Sequence, residues 1–452
     1  MNDTYLDLKK IHTWLGNQGQ MHLIEEIKHL SKEKQNAFYL SLFTLSKHFI
    51  GKHTPDSCEL YPSSQITPFI EPIEEDTRES SPTIKLLQEG KVACILLAGG
   101  DGSRLSHNKP KGCFPISNIK KKSLFALHFE KIKVLQDQLH TKLTLILLTS
   151  DINHKATQDY LEENRYFGLD PKHVLFVEQP SFPLVDESNK WFFKEEGKLA
   201  LGPNGNGGLF QALRSLKDEI QKIEQFMIIS IDNPLAMPFD ISLINMNHTL
   251  GNDLSIRSFK RNDPEERIGI FSHFNDQIII VDYGNFKEEL YRQKAGCEFL
   301  FPYGNVNIFC LSGTFVMQRL MRSDLPIHWV EKHTKAYSQA KGACDISCYK
   351  SEKFLTDLLL LTKKVGIVNS SRDDCFAPLK NREGVNDVKS VQRALLENDR
   401  RIFYALTGMD TEDKTFELSM DFHFPTDSLI KRCKEMKKFP DTDYITSDVI
   451  NV

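Results

Sequence analysis

Four short, nearly unbroken apolar runs mark the middle of the chain: "VACILLA" (92–98), "LTLILLT" (143–149), "HVLFVEQ" (173–179) and "FMIISID" (226–232). Runs of that length without polar alternation suit strands buried on both faces, as in a parallel sheet covered by helices. Helical spacing fills the gaps. Ser123 is placed to cap a helix through Gln138, with Phe125, Phe129, Ile132, Leu135 and Leu139 as its apolar stripe. Lys155–Asn164 and Gly208–Gln221 supply two more helices. The alternation predicts a doubly wound, mostly parallel α/β domain. Ligands then belong in the crevice beyond the carboxyl ends of the strands.

The flanks read differently. In "LIEEIKHLSKEKQNAFYLSLFTL" the apolar positions recur at three- and four-residue steps, so residues 5–50 are expected to be helical, with Ser31 capping a second helix and the phenylalanines in a core. Thr54–Thr83 is rich in Pro, Ser and Glu and has neither period, which suits a linker or an arm lying over the main body. After Gly251 the pattern turns to β, in "DLSIRSF", "RIGIFSHF" and "QIIIVDY". From Asn381 onward a helix over Val388–Leu406 and a charged tail suggest a small C-terminal domain. Three regions result: 1–90, an N-terminal helical region with linker; 91–380, the central α/β domain; and 381–452. No internal repeat is visible.

Composition narrows the classes. Lys plus Arg (57) nearly balances Asp plus Glu (61), so no global field draws in nucleic acid. The longest apolar runs are far short of the roughly 20 residues that cross a bilayer. The N-terminus lacks the apolar core of a signal peptide. The nine cysteines form no close-spaced framework, and Cys344 and Cys348 have no companion pair for zinc. A cytoplasmic protein that binds neither membrane nor nucleic acid is expected; nothing fixes its oligomeric state. The fifteen histidines show no metal-ligand spacing, and Lys120–Lys122 reads as a solvated run leading into a helix.

Chemistry enters with "CILLAGGDGSRLSHNKPKG" (94–112), which follows the first apolar run. Gly99, Gly100 and Gly102 allow a sharp turn whose bare N–H groups face a ligand, an arrangement that suits phosphate oxygens. Arg104 adds a fixed fork of donors, Lys111 a mobile point charge, and Pro110 stiffens the backbone before it. Neither the P-loop spacing nor GxGxxG is present.

This stretch, opened by Leu97, resembles the signature LxxGxGTxLGxxxPKG of the nucleotide-sugar pyrophosphorylases. More narrowly it resembles the eukaryotic-type UDP-sugar branch, the UDP-N-acetylhexosamine and UDP-glucose pyrophosphorylases. Ser103 stands for the family Thr and Ser106 for the family Gly. The likeness continues in order along the chain. "NRYFGLDPKHVLFVEQ" resembles the stretch ending in a uracil-binding Gln, here Gln179. "LGPNGNGGLFQAL" resembles the PxGxGG segment that closes over base and ribose, with Gly205 and Asn206 at the matching positions; alone, Gly-Asn-Gly-Gly is a common flexible turn. "ISIDNPL" puts Asp232 where the family has a carboxylate near Mg²⁺ and the nucleotide phosphates. "RIGIFSHFNDQIIIVDY" resembles the strand pair lining the sugar pocket, with Gly269 and Asp282. "NVNIFCLS" resembles the segment whose Asn holds the sugar, Asn307 or, with a slipped alignment, Asn305. "DDCFAPLKN" resembles SPLKN, with Lys380 reaching the sugar-1-phosphate. Together these cover roughly residues 90–385.

The resemblance implies a Rossmann-like nucleotide-sugar transferase domain and a Mg²⁺-dependent uridylyl transfer. A sugar-1-phosphate oxygen attacks the α-phosphorus of UTP and pyrophosphate leaves, with no covalent enzyme intermediate. Arg104 and the glycine amides would hold the β,γ-phosphates, Lys111 the α-phosphate, and Lys380 the attacking phosphate. The wording lies closer to the N-acetylhexosamine enzymes; UDP-glucose is the alternative. A sensor of the same fold without turnover stays open, supported by Ser103 and Ser106. A glycosyltransferase consuming UDP-sugar is less well served by a triphosphate loop.

Overall fold

The computed structural model describes residues 7–49, 61–62, 64–74, 81–320, 322, 325–338 and 342–450. Residues 54–60, 63 and 75–80 of the expected linker lie outside them. The chain divides into two compact units, each assembled from separated stretches. One comprises the chain up to residue 60 with residues 179–214 and 323–358; the other comprises residues 61–178, 215–322 and 359–452.

The larger unit is built on a sheet whose principal strands are β1 (Val92–Leu97), β2 (Thr144–Ser150), β3 (Val174–Gln179), β4 (Gln225–Ser230), β5 (Leu254–Lys260), β6 (Tyr303–Ser312) and β7 (Val365–Ser370). Their order is β7-β5-β6-β4-β1-β2-β3. All four apolar runs are strands here. Residues 92–96 are buried throughout, which explains the lack of polar alternation. β1 runs parallel to β2 and to β4, and β5 runs parallel to β7. β6 runs antiparallel to both β4 and β5, so one reversed strand sits inside an otherwise parallel set. That reversal matters for function, because it delivers the start of β6 to the edge where β4 ends.

Helix α1 (Leu124–Leu139) follows the expected design. The Ser123 hydroxyl accepts from the Ala126 amide, and Phe125, Phe129, Ile132 and Leu135 are buried. Each such side chain contributes about 1.5–3 kcal/mol by leaving water. Gly208–Gln221 is not one helix: α-helical turns at Leu209–Leu213 and Lys217–Ile220 flank a 3₁₀ turn, broken where Leu216 sits at φ −108° and ψ 17°. Of Lys120–Lys122 the first two are exposed, as a solvated run requires, but Lys122 is not. The Lys122 side chain is 12% exposed and its ammonium pairs with Glu130 and donates to the Tyr444 hydroxyl. The C-terminal stretch has its own apolar cluster, including Phe403, Phe416, Phe422 and Leu429. Two short pieces of the expected linker join this unit's sheet: Thr67–Pro68 pairs with Ser272 and His273, and Ile73–Glu74 with Val368 and Asn369.

In the smaller unit the helix Lys32–His48 carries the cap its sequence predicts, Ser31, and the helix Leu8–Asn17 is capped by Asp7, which the sequence reading did not single out. Ile11, Leu15, Phe38 and Leu42 pack with Phe182, Trp191 and Phe193, so residues 179–214 complete the N-terminal core. A long hairpin, His328–Ser338 against Gly342–Glu352, pairs through every residue. Its strands are mostly half-buried and carry the charges of "HWVEKHTKAYS", so no apolar period announced it. Among the described residues no helix is long and apolar enough to cross a membrane.

Candidate active site

At the carboxyl end of β1 the backbone turns through Gly99, Gly100 and Gly102. The Gly99 carbonyl accepts from Ser150 Oγ at 2.9 Å, and Asn153 Nδ2 donates to the carbonyls of Ala98 (2.8 Å) and Gly100 (2.9 Å). Ser150 and Asn153 escaped the sequence reading, although Ser150 ends β2 and Asn153 lies three residues beyond it. The Lys111 amide donates back to the Gly100 carbonyl at 3.2 Å, closing the loop. Gly102 has φ +74°, and a Cβ there would lie 2.8 Å from the Lys109 carbonyl oxygen, so only glycine fits. Ser106, the residue in place of the family glycine, adopts φ +50°. The left-handed turn is therefore kept with an L side chain in it. The Ser103 amide donates to Asp101 Oδ1 at 3.0 Å. Arg104 is exposed and has no partner among the described residues.

Three separated segments meet at Asp232, two residues beyond β4. Its side chain is 10% exposed. Oδ2 accepts from Lys380 Nζ at 2.8 Å and lies 3.5 Å from Lys111 Nζ. Lys111 Nζ also donates to the Leu379 carbonyl at 3.2 Å. Burial alone would push the Asp232 carboxyl up; the Lys380 and Lys111 ammonium groups outweigh it and hold it at about 2. The result is a permanently charged carboxylate with two ammonium groups on one oxygen, beside a turn of backbone amides.

The reversed strand brings a fourth component. A register shift opposite Ile256 and Ser258 leaves room for Asn307 at φ +63°, and its backbone amide donates to Asn305 Oδ1 at 2.9 Å. Asn307 Nδ2 donates to Ser230 Oγ, at the end of β4, at 2.9 Å. Both candidate asparagines therefore stand at the edge that carries Asp232. The Asn305 amide donates to the Gly269 carbonyl at 2.9 Å, so Gly269 adjoins them. Asp282 is exposed, and its Oδ1 accepts from the Gly284 amide at 3.0 Å in a local turn.

In the smaller unit Gln179, Gly205 and Asn206 form one connected element. Gln179 Nε2 donates to the Gly205 carbonyl, and Asn206 Oδ1 accepts from the Leu355 amide at 2.9 Å. Gly205 has φ +82°, and a Cβ there would fall 2.3 Å from the Lys353 carbonyl oxygen. The demand for glycine thus comes from the crossing chain at Lys353, a long-range contact that no local spacing reveals.

The family model described as UTP–glucose-1-phosphate uridylyltransferase matches residues 41–446. The chain belongs to that family. This uridylyltransferase family member is 27% identical over 405 residues to the UDP-N-acetylglucosamine pyrophosphorylase of Saccharomyces cerevisiae, covering 82% of this chain and 83% of that protein. It is 26% identical over 341 residues to UDP-N-acetylglucosamine diphosphorylase 2 of Arabidopsis thaliana, covering 70% and 67%. The crystal structure of the uridine diphosphate N-acetylglucosamine pyrophosphorylase of Trypanosoma brucei shares the fold, with a TM-score of 0.77 at 22% identity over 99% of each chain. Family membership makes the chain a nucleotidyltransferase.

Proposed function

We propose that this uridylyltransferase joins UTP to N-acetylglucosamine-1-phosphate, giving UDP-N-acetylglucosamine and pyrophosphate. The observation that carries the reading is the convergence of Lys111 and Lys380 on buried Asp232 beside the glycine turn. An oxygen of the sugar phosphate forms a new bond to the α-phosphorus of UTP. The bond from that phosphorus to the bridging oxygen of the β-phosphate breaks, and its electron pair leaves on pyrophosphate. Such a reaction needs positioned reactants and neutralised charge rather than a protein nucleophile. Lys380, with 45% of its side chain exposed, would turn from Asp232 to the incoming phosphate. Lys111, 16% exposed and tied to the Leu379 carbonyl, would stay at the α-phosphate. Arg104 and the amides near Gly99, Gly100, Gly102 and Ser103 would receive the leaving group; the free fork of Arg104 suits that task.

Mg²⁺ fits this site. Asp232 Oδ2 carries both ammonium contacts while Oδ1 has no partner among the described residues, and Mg²⁺ commonly takes one or two carboxylates with phosphate oxygens completing the shell. Among the described residues no cluster of three His, Cys, Asp or Glu side chains stands ready for a metal, so the nucleotide would supply the remaining ligands. Bound there, the ion would neutralise phosphate charge. For uracil, Gln179 Oε1 is the acceptor left after Nε2 is used on Gly205, and would take the N3–H of the base. Asn206 Nδ2 would donate to a ribose hydroxyl, its Oδ1 being held by Leu355.

The acetamido sugar rests on the names of the yeast and Arabidopsis relatives; glucose-1-phosphate is the second reading, favoured by the description of the matching family. Incubation with UTP, Mg²⁺ and each sugar-1-phosphate separately, with pyrophosphate release measured, decides between them. Fastest release with N-acetylglucosamine-1-phosphate is expected. Faster release with glucose-1-phosphate replaces the first reading by the second, and UTP binding without release from either overturns both.

A further inference from the structure

Lys380 stands on irregular backbone. Residues 376–380 belong to no strand or helix, yet a side chain there must be held to a fraction of an ångström to serve a phosphate. The Phe376 amide donates to the Arg372 carbonyl at 2.9 Å and the Lys380 amide to the Asn386 carbonyl at 2.8 Å, while three further bonds tie the stretch to one side chain and its neighbour. Asn233, 2% exposed, donates through Nδ2 to the Cys375 carbonyl at 2.7 Å and accepts through Oδ1 from the Ala377 amide at 3.1 Å. The Leu379 amide then donates to the Asp232 carbonyl at 2.8 Å. Alternate residues of the segment are thus zipped to the turn that carries Asp232. The turn is itself fixed: Lys131 Nζ donates to the carbonyls of Pro234 (2.6 Å) and Ala236 (3.1 Å).

We infer that Asn233 is a positioning residue for uridylyl transfer, placing Lys380 on the Asp232 side of the site by holding Cys375 and Ala377 with both ends of its amide. The inference rests on the proposed reaction. The amide is the one side-chain group of this size with a donor and an acceptor side by side, which is what a carbonyl and an N–H two residues apart require. Aspartate at this position has the same shape but sets a carboxylate oxygen against the Cys375 carbonyl. Asn233 touches no reacting atom; it acts through Lys380.

The test is a double-mutant cycle. Asn233→Ala and Asn233→Asp are made alone and with Lys380→Ala, and kcat and KM for both substrates are measured. Asn233→Ala is expected to lower kcat by roughly 10²-fold, with KM for UTP within about threefold of the parent. Asn233→Asp should fall similarly although it preserves the volume. In the Lys380→Ala background either change should cost less than about threefold more, because its route to the chemistry is already gone. Losses that multiply in the double variants, or an Asn233→Asp enzyme as active as the parent, overturn the inference. Should the parent release no pyrophosphate, the proposed reaction fails by itself and the clamp is read by hydrogen exchange. The Ala377 and Leu379 amides should then exchange about tenfold faster in Asn233→Asp than in the parent, with Val92–Leu97 unchanged. Equal exchange at those two amides overturns it.

Discussion

Replacing Asp232 by Asn keeps the shape of the site and removes the charge that two lysines share. The carboxyl sits at about 2 rather than 3.8, because the Lys380 and Lys111 ammonium groups outweigh the burial that opposes them. The gap between those values corresponds to about 2 kcal/mol in favour of the charged over the neutral group. Asp232→Asn should therefore lose about 2 kcal/mol of stability at pH 7. The full penalty of breaking a buried pair, about 3–5 kcal/mol, is an upper bound, because Lys380 is half-exposed and can turn to water. The pH dependence has a definite sign. A carboxyl depressed on folding stabilises fully above its unfolded value, so the difference between parent and variant is constant above about pH 5 and shrinks as pH falls from about 4 towards 2. The probe must report the right unit. All three tryptophans, Trp14, Trp191 and Trp329, lie in the smaller unit, so their fluorescence is uninformative about Asp232. Urea unfolding followed by hydrogen exchange of Val92–Leu97 and Gln225–Ser230, the strands beneath the site, is the suitable assay. Equal stability at pH 7, or a difference that persists unchanged at pH 3, would refute the electrostatic account of the cluster.

Lys111→Ala should lower turnover by roughly 10³-fold while leaving far-UV circular dichroism unchanged, because a charge made for the transition state is removed from a folded scaffold; undiminished pyrophosphate release excludes the assigned role. Ser106→Gly should raise stability by about 0.5 kcal/mol, the relief of a left-handed backbone at φ +50° exceeding the extra freedom of glycine in the unfolded chain; a lower melting temperature contradicts the assigned strain. Lys131 is wholly buried, and burial pushes its ammonium down to about 7 despite the opposing field of Asp399. A lysine depressed on folding binds fewer protons folded than unfolded between about pH 7 and 10, so parent stability should rise with pH across that window relative to Lys131→Met. Parallel stability curves for the two proteins would show that the group titrates normally.

What was legible in the chain, and what was not, follows the range of the interactions. β1, β2 and β4 declared themselves because burial on both faces strips polar residues from four to seven consecutive positions, a purely local signal. The caps Ser31 and Ser123 are local in the same sense. The hairpin over residues 328–352 has no such signal, since its half-buried strands carry charge on both faces. The direction of β6 is not written in "NVNIFCLS" either; it follows from its place between β4 and β5, and with it the arrival of Asn305 and Asn307 at the site. Lys111 stood out in the glycine-rich stretch itself, Asp232 and Lys380 were chosen by resemblance to a family, and the fold brings both lysines to one carboxylate oxygen of Asp232. Asn233 was invisible for a further reason. An asparagine after a strand-end aspartate reads as an ordinary turn residue. Its task is set by partners 142 and 144 positions away in sequence, Cys375 and Ala377, on a segment with no regular structure of its own. A site assembled at strand ends takes its charges from local motifs, but the distances between those charges depend on such buried amides.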